Sequence, residues 1–397
     1  MNVLTLNAGS TSVKFALFED GGVEPIREGE ISWADGNRDH AGMVVRSRAG
    51  QPEFATVSVK NDSAAAACAL EAAAGVRPAR AAVEAVGHRV VHGGTLFRES
   101  IRIDEKVKEA IARMSNLAPL HNPPALSAIE AAENAFPGAP QVAVFDTAFY
   151  EDLPPKAFLY PVPYSYYERF GIRRFGFHGI SHSYCARRAA ELLKHHPSQP
   201  AVITCHLGGG CSATATRAGR AVATTSGFSA LDGLMMGTRS GSLDPGILLA
   251  LEQRHGLTPE QLARDLNSES GLFGVSGISA DLADIERAAN RGVLRAVLAF
   301  EMFADRVRAA IGGLAVTLGN LDALVFTDRM GENSAALRAN VCDGLELLGV
   351  RLDRDLNEDP HPDADIAAAD SRVRVFVIHT KEELMIAREA ARVVALD

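Results

Sequence analysis

The sequence contains little cysteine, and none of it has the spacing of a metal site or of a disulfide framework. The 397 residues include only five cysteines, which are far apart and odd in number. Scattered thiols of this kind are typical of proteins that keep their cysteines reduced. The formal net charge of −9 argues against nonspecific binding to nucleic acids or to anionic membranes, because both partners require a positive field.

Long apolar runs and two common sequence signals are absent as well. No uninterrupted apolar stretch approaches the roughly 20 residues of a membrane span. The first residues lead directly into a strand-like segment, without the basic and apolar regions of a signal peptide, so we expect a cytoplasmic protein. No G-x-x-x-x-G-K-[ST] string occurs, which excludes a P-loop.

The chain does have a glycine-rich turn after an apolar strand. The predicted strand 201-AVITCHL-207 is followed by Gly208, Gly209 and Gly210. Three glycines in succession let backbone N–H groups point into one concavity without obstruction by Cβ atoms, which suits an anionic phosphate. Glycines after a strand also serve turns alone, so the neighbouring residues must decide between the two interpretations.

A second polar turn lies near the N-terminus. The segment 2–20 has the pattern of a strand, a tight turn at 8-AGST-11 and a second strand with alternating apolar residues. The polar residues Asn7, Ser10 and Lys14 crowd this turn. It is therefore either an ordinary surface hairpin or a hairpin that faces a phosphate.

Strand and helix patterns alternate along the chain and favour an α/β fold. Strands are predicted at 140–146, 201–207, 323–327 and 373–378, and helices near 290–318, 334–348 and 381–395. Asn122, which two prolines follow, predicts a helix cap. The proline-rich stretch 153–166 indicates a domain junction.

Nine strings of the sequence resemble, in order, the signatures of acetate kinases. They are NAGSTSVKFALF, GHRVVHGG, PLHNPPAL, VFDTAFY, RFGFHGISH, HLGGG, DGLMMGTRSG, GENS and EELMIARE. They extend to residue 389 and so span essentially the whole chain. By their length, order and spacing, the sequence is identified as a member of this family.

The resemblance implies the fold of sugar kinases, chaperone ATPase domains and actin. This fold consists of two ribonuclease H-like α/β domains with the active site in the cleft between them. The N-terminal domain would cover residues 1–150 and be completed by a C-terminal helix at about 381–397, and the nucleotide-binding domain would cover 151–380. The family also implies a homodimer.

The implied reaction is Mg²⁺-dependent transfer of the γ-phosphoryl group of ATP to acetate. A carboxylic acid is already ionised at neutral pH, so the reaction needs no base, but two anions must be brought together. By resemblance, Arg89 and Arg239 hold acetate and the migrating phosphoryl group, and the charged, planar guanidinium suits this task. Asp146 would position Arg239 or metal-bound water, and His178 would donate a hydrogen bond to the phosphoryl group.

The resemblance also implies the residues that line the two substrate pockets. The walls of the acyl pocket would be Val91, Leu120, Phe177 and Ala230. The nucleotide would contact a larger set, made up of Lys14, His206, Leu207, Gly208, Gly209, Gly210, Asp281, Leu282, Ala283, Asp328, Arg329, Met330, Gly331 and Glu332. For His206, a hydrogen-bonded core histidine stays open as an alternative.

The sequence departs from the family pattern at three places in these pockets. Asp328 and Arg329 replace the usual glycine pair before G-E-N-S, and 281-DLA-283 lacks the usual arginine. Ala230 replaces a proline. These departures bear on the adenine contacts and on the size of the acyl pocket more than on the phosphoryl chemistry.

Asn7 and Glu382 match the magnesium positions of the family. A few protein oxygens, completed by water and nucleotide phosphates, suit Mg²⁺, and Mn²⁺ is a metal that can replace it in such a site. Glu382 also fits the first turn of a helix, where a carboxylate is favoured by the helix dipole. His178 and His182 form an H-x-x-x-H pair, but no third ligand accompanies it, so zinc is disfavoured.

Two other functions stay open. The first, within the same enzyme class, is a propionate kinase or another short-chain acyl kinase. The second is a nucleotide-switched protein of the same superfamily, such as a chaperone or an actin-like filament protein. The second alternative predicts no paired arginines for a carboxylate and is disfavoured.

Overall fold

The computed structural model describes residues 1–19, 21–33, 37–48, 50–75, 83–194, 197–361 and 363–396. The chain divides into two compact units, each with its own sheet. Unit 1 consists of Met1–Glu151 and Lys381–Asp397, and unit 2 consists of Asp152–Thr380. None of the helices in the described residues is both long enough and apolar enough to span a membrane.

Unit 1 has a mixed sheet of eight strands within its described residues. The strands are β1 (Val3–Ala8), β2 (Ser12–Phe18), β3 (Arg27–Ser32), β4 (Ala41–Ser47), β5 (Glu53–Val57), β6 (Ala85–Val90), β7 (Ile101–Arg102) and β8 (Gln141–Phe145). The helices are α1 (Asp62–Ala74), α2 (Glu105–Arg113), α3 (Asn122–Ala135) and, at the end of the chain, α15 (Glu382–Val394). The strand order is β5-β4-β3-β2-β1-β6-β8-β7.

The centre of this sheet is buried because helices cover it. Every residue of β1 is buried, and α15 packs on β1 and β6. This contact requires a glycine at position 87 of β6, where an added β-carbon would lie 2.8 Å from Ile386 Cγ2. The predicted N-terminal hairpin is confirmed, since β1 and β2 pair antiparallel with Asn7 opposite Lys14.

Unit 2 has a mixed sheet of six strands within its described residues. The strands are β9 (Ala201–Leu207), β10 (Cys211–Arg217), β11 (Arg220–Thr224), β12 (Ala323–Thr327), β13 (Ala364–Asp365) and β14 (Arg374–Val377). The helices are α4 (Pro155–Phe158), α5 (Tyr164–Phe170), α6 (Gly179–Leu192), α7 (Pro245–His255), α8 (Pro259–Ser268), α9 (Gly271–Ser276), α10 (Leu282–Asn290), α11 (Leu294–Leu318), α12 (Asp328–Asn333), α13 (Ala335–Cys342) and α14 (Arg354–Glu358). The strand order is β11-β10-β9-β12-β14-β13.

The two sheets share one arrangement of five strands. In unit 1 the order β3-β2-β1-β6-β8 has two antiparallel pairs followed by two parallel pairs. In unit 2 the order β11-β10-β9-β12-β14 repeats this pattern of directions. The predicted α/β fold with two domains of the actin-like ATPase type is confirmed, although no repeat is visible in the sequence.

Two local predictions were wrong. Asn122 is the first residue of α3 and does not cap it, because its side-chain amide donates to the backbone carbonyl of His92 at 3.0 Å and accepts from the backbone N–H of His92 at 3.1 Å. The predicted helix 334–348 is interrupted. Helix α13 ends at Cys342, Gly344 has a positive φ of 90°, and only a short 3₁₀ turn, Glu346–Leu348, follows.

Candidate active site

Four of the predicted site residues of unit 1 form one group, which we call the arginine cluster: Asn7, Arg89, Asp146 and Glu382. Asn7 lies near the end of β1, Arg89 near the end of β6, and Asp146 directly after β8. These strands are parallel neighbours, so their carboxyl ends meet at one edge of the sheet, which is where α/β folds bind ligands. Helix α15 begins at this edge with Glu382.

Arg89 is the centre of the arginine cluster. Its Nε and Nη2 donate to Asp146 Oδ2 at 3.1 and 2.7 Å, and its Nη1 donates to Asn7 Oδ1 at 3.1 Å. The Asn7 amide donates to Glu382 Oε2 at 3.1 Å, and the same oxygen lies 3.8 Å from Arg89 Nη1. Three of the five N–H donors of Arg89 make these hydrogen bonds, so two are left for a ligand.

The carboxylates keep Arg89 charged although it is buried. Burial opposes the charge of the guanidinium, but Asp146 and then Glu382 outweigh burial and raise the pKa of Arg89. Asp146 itself is fully buried. The ion pair is therefore of the buried kind, in which loss of one partner leaves an uncompensated charge.

Glu383, next to Glu382, belongs to this region and was not predicted. Its Oε1 is buried and has no hydrogen-bond partner. Burial, and secondly the neighbouring Glu382, raise the pKa of Glu383, while Lys14 acts in the opposite direction. Lys14 itself is exposed on β2, opposite Asn7. An oxygen without a hydrogen bond in such a site is suited to a cation.

The second group lies in unit 2, and we call it the glycine-turn cluster: His178, His206, Gly208–Gly210, Arg239 and Asp328. His206 lies in β9 and the glycines join β9 to β10. His178 precedes α6 and Asp328 begins α12. Of the three described residues other than glycine with a positive φ, two belong to this cluster, His178 at 55° and Asp328 at 64°. Strained backbone of this kind concentrates at functional sites.

The side chains of His178 and Arg239 both lie close to Gly210. A β-carbon added to Gly210 would lie 3.1 Å from His178 Nε2 and 3.6 Å from Arg239 Nη1. Glycine at this position therefore keeps the space between the imidazole and the guanidinium open. A small anion fits there, because both side chains can donate hydrogen bonds.

Arg239 has no counter-ion in the part of the chain that the structure describes. Its Nη1 donates to the Ala230 carbonyl at 3.2 Å and approaches Met236 Sδ at 3.9 Å. Burial lowers the pKa of Arg239, since no carboxylate offsets the loss of water around the charge. A partly buried guanidinium of this kind would be stabilised by an anionic ligand.

Ser212 connects two histidines of this site. Its Oγ lies 2.7 Å from His178 Nδ1 and 2.8 Å from His182 Nε2. A hydroxyl has one proton, so Ser212 donates to one ring and accepts from the other, and this links the tautomers of the two histidines. His182 is held at its other nitrogen by Thr204 Oγ1 at 2.6 Å, and burial lowers its pKa well below the ordinary value.

Both ring nitrogens of His206 have a polar neighbour. Nδ1 lies 2.9 Å from Ser181 Oγ, and Nε2 lies 3.1 Å from Asp328 Oδ2. Its ring stacks on His178 with centroids 4.2 Å apart. The alternative of a hydrogen-bonded core histidine is compatible with this position at the glycine turn, because only 6% of His206 is exposed and its Nδ1 is hydrogen-bonded to Ser181.

The other predicted nucleotide residues surround this cluster or extend from it. Asp328 N–H donates to Glu332 Oε1 at 2.8 Å, and Arg329 pairs with Asp281 at 3.1 Å. Asp281 also caps α10 by accepting from Ala283 N–H at 2.9 Å. Three apolar members are buried and pack in the unit 2 core, namely Leu207, Leu282 and Met330, whereas Ala283 is exposed. Gly331 is buried against Phe326 and Leu207.

The four predicted acyl-pocket residues are divided between the units. In unit 1, Val91 is buried and Leu120 is 45% exposed. In unit 2, Phe177 is buried and Ala230 is partly exposed. The carbonyl of Ala230 accepts a hydrogen bond from Arg239 Nη1.

Sequence reasoning missed Ser212 and Glu383. Ser212 follows the glycine turn as one hydroxyl among several, and only the pairing of β10 with β9 places it opposite His206. Glu383 is part of the matched string EELMIARE, but the string alone does not tell which of its glutamates are buried. No group of three or more His, Cys, Asp or Glu residues within the described ranges has the arrangement of a metal site.

Comparisons with known proteins show the family of this chain. The model of the acetokinase family matches residues 2–388. The chain is similar to an acetate kinase of Gloeobacter violaceus, with 48% identity over 401 residues and 98% of each chain covered.

Solved structures show the same likeness. The crystal structure of an acetate kinase from Porphyromonas gingivalis has a TM-score of 0.88 at 36% identity and covers 99% of each chain. That of a propionate kinase from Francisella tularensis has a TM-score of 0.90 at 35% identity and covers 98% of this chain and 99% of its own. The chain therefore belongs to the acetokinase family and is a kinase that phosphorylates a carboxylate.

Proposed function

We propose that this enzyme transfers the γ-phosphoryl group of ATP reversibly to acetate and so forms acetyl phosphate and ADP. The observation that carries the proposal is Arg239, a partly buried guanidinium that has no counter-ion among the described residues and that faces Gly210 together with His178. A site for a transferred phosphoryl group needs such an uncompensated positive charge.

The chemistry asks mainly for electrostatic stabilisation. Acetate is ionised at neutral pH, so no side chain has to remove a proton. Arg239 and His178 would bind the oxygens of the phosphoryl group, and the two remaining donors of Arg89 would bind the carboxylate of acetate. Asp146 hydrogen-bonds to Arg89, so we assign it the positioning of Arg89 instead of Arg239.

The glycine turn would bind the nucleotide phosphates through backbone N–H groups, with His206 beside it. The adenosine side would lie at residues 281–283 and 328–332. Arg329 and Asp281, which form an ion pair, link these two segments. The acyl group would contact Val91, Leu120, Phe177 and Ala230, the residues that resemblance assigns to this pocket.

We also propose Mg²⁺ as the metal, held by Asn7 and Glu382. The oxygen donors of the arginine cluster fit a hard cation, and the unpartnered Oε1 of Glu383 adds to this fit. When bound, Mg²⁺ would neutralise phosphate charge in the transition state. The protein supplies few ligands, so water and the nucleotide would complete the coordination.

A homodimer in the cytoplasm is the state that we propose for the enzyme. Helices α5 and α7 lie wholly within the described residues, and neither has a buried residue. They expose large apolar side chains: Tyr164, Tyr166, Phe170, Ile247 and Leu249. Exposed apolar side chains of this size can be covered by a second copy of the chain.

Propionate is the second candidate acceptor, because Ala230 is smaller than the usual proline. The test is an assay of acetate, propionate and butyrate with ATP and Mg²⁺, in which hydroxylamine traps the acyl phosphate. We expect acetate to have the highest kcat/KM. Absence of acetyl phosphate, or full activity of Arg239→Met, would refute the proposal. Arg351→Met, which changes an exposed arginine, is the matched control.

A further inference from the structure

Asp328 has an unusual backbone conformation beside the glycine turn. Its φ is 64°, in the left-handed region that few residues other than glycine, asparagine and aspartate adopt. Its N–H donates to Glu332 Oε1 at 2.8 Å, and this hydrogen bond holds the start of α12 in place. The conformation directs the side chain of Asp328 toward the glycine turn, where the next contacts lie.

The Asp328 carboxylate lies against two groups of the proposed phosphate site. Oδ2 is 3.1 Å from His206 Nε2. A β-carbon added to Gly208 would lie 1.7 Å from the same oxygen, so the carboxylate fills the space that this glycine leaves open. Nε2 is therefore the ring atom of His206 that faces the carboxylate. A phosphate oxygen would need the same ring atom and the same space.

We propose that the Asp328 carboxylate competes with the nucleotide phosphates for this position. The inference rests on the proposed function, because it takes the glycine turn as the phosphate site. The carboxylate acts as an internal anion at His206 and Gly208, and it must leave when the nucleotide binds. The side chain of Asp328 is 30% exposed, so it has room to rotate toward solvent.

The competition predicts a specific change in nucleotide affinity. The enzyme must give up the contact between Asp328 and His206 and bring phosphate charge close to a carboxylate, and both effects weaken nucleotide binding. Acetate binding should be untouched, since Asp328 is not among the residues assigned to the acetate carboxylate or to the acyl pocket. Removal of the carboxylate should therefore tighten binding of ATP and ADP and leave the KM for acetate unchanged.

The test compares Asp328→Asn and Asp328→Gly with the natural enzyme. Asparagine keeps the shape and tolerates a positive φ, whereas glycine also removes the backbone strain. Calorimetric titration with ADP and Mg²⁺, without acetate, should show a Kd lower by about tenfold in both variants, as expected for loss of one poorly screened like-charge contact. Asp305→Asn removes one exposed carboxylate from α11 and should leave this Kd unchanged.

Failure of this inference and failure of the proposed function are distinguishable. An unchanged or higher Kd for ADP in both variants, in an enzyme that makes acetyl phosphate, would overturn the competition and assign Asp328 to holding His206 for the nucleotide. Tighter ADP binding in both variants supports the competition whether or not acetate is the acceptor. The glycine variant keeps the test decisive if the asparagine variant does not fold.

Discussion

Replacing each of the two site arginines by methionine should have the same effect on activity and different effects on stability. Methionine is similar in length to arginine but uncharged. Both variants, Arg89→Met and Arg239→Met, should lose about 10²- to 10³-fold in kcat/KM, the range found when one donor to a transition-state oxyanion is removed. Their stabilities should differ because only Arg89 is part of a buried ion pair.

The magnitude follows from what each guanidinium contacts. Arg89→Met leaves the fully buried carboxylate of Asp146 without its partner, and breaking a buried pair costs about 3–5 kcal/mol. The side chain of Arg89 is 16% exposed, so water can enter in its place, and we expect the lower end, about 3 kcal/mol. For a unit of this size that corresponds to a Tm lower by about 6–12 °C.

Arg239→Met breaks no ion pair within the described residues. It removes a partly buried charge whose pKa is already lowered by burial, and it leaves one backbone carbonyl, that of Ala230, without this donor. The stability of unit 2 should therefore stay unchanged or rise slightly. The two arginines would thus be equally important for catalysis and opposite in their effect on the fold.

The assay uses the single tryptophan of the chain. Trp33 lies in the core of unit 1 and is 3% exposed, so its fluorescence reports the unfolding of that unit in urea. Unfolding of Arg89→Met should shift to lower urea, and the double variant Arg89→Met/Asp146→Leu should recover most of the loss, since an apolar pair replaces the ionic one. Equal stability of Arg89→Met and the natural enzyme would refute the reasoning.

Three further predictions concern other parts of the site. Ala230→Pro should lower the ratio of kcat/KM for propionate to that for acetate, because burial of one methylene is worth about 0.8 kcal/mol in an apolar pocket; an unchanged ratio means that residue 230 does not line the pocket. Glu382→Gln should raise the Mg²⁺ concentration for half-maximal rate more than the KM for acetate, and a metal titration with the reverse order contradicts the assignment. Ser212→Ala should lower kcat and change the KM for ATP less, because His178 loses the hydroxyl that orients it. Thr216→Val, on the same strand, is the control. An equal effect of the two substitutions would refute the positioning role.

Much of this protein follows from local sequence patterns. The strands 201–207 and 323–327 are found at their predicted bounds, because apolar β-branched runs that end in turn residues have few alternatives. The helix 334–348 was predicted too long, since its apolar period continues through Asp343 and Gly344, where the backbone turns away. The apolar periodicity indicates which residues are buried, but it does not indicate whether the helix is continuous between them.

The candidate residues of the site were readable from motifs, but their partners were not. Asn7 and Glu382 are separated by almost the whole chain in sequence. They meet because helix α15, which begins with Glu382, packs on strand β1, which contains Asn7. The partner of Asp146 is Arg89, and Arg239 has no carboxylate partner among the described residues; both facts depend on which strands are neighbours. The sequence by itself determined the chemistry available to this enzyme, whereas the tertiary structure decided which charges neutralise each other and which one is left for an anion.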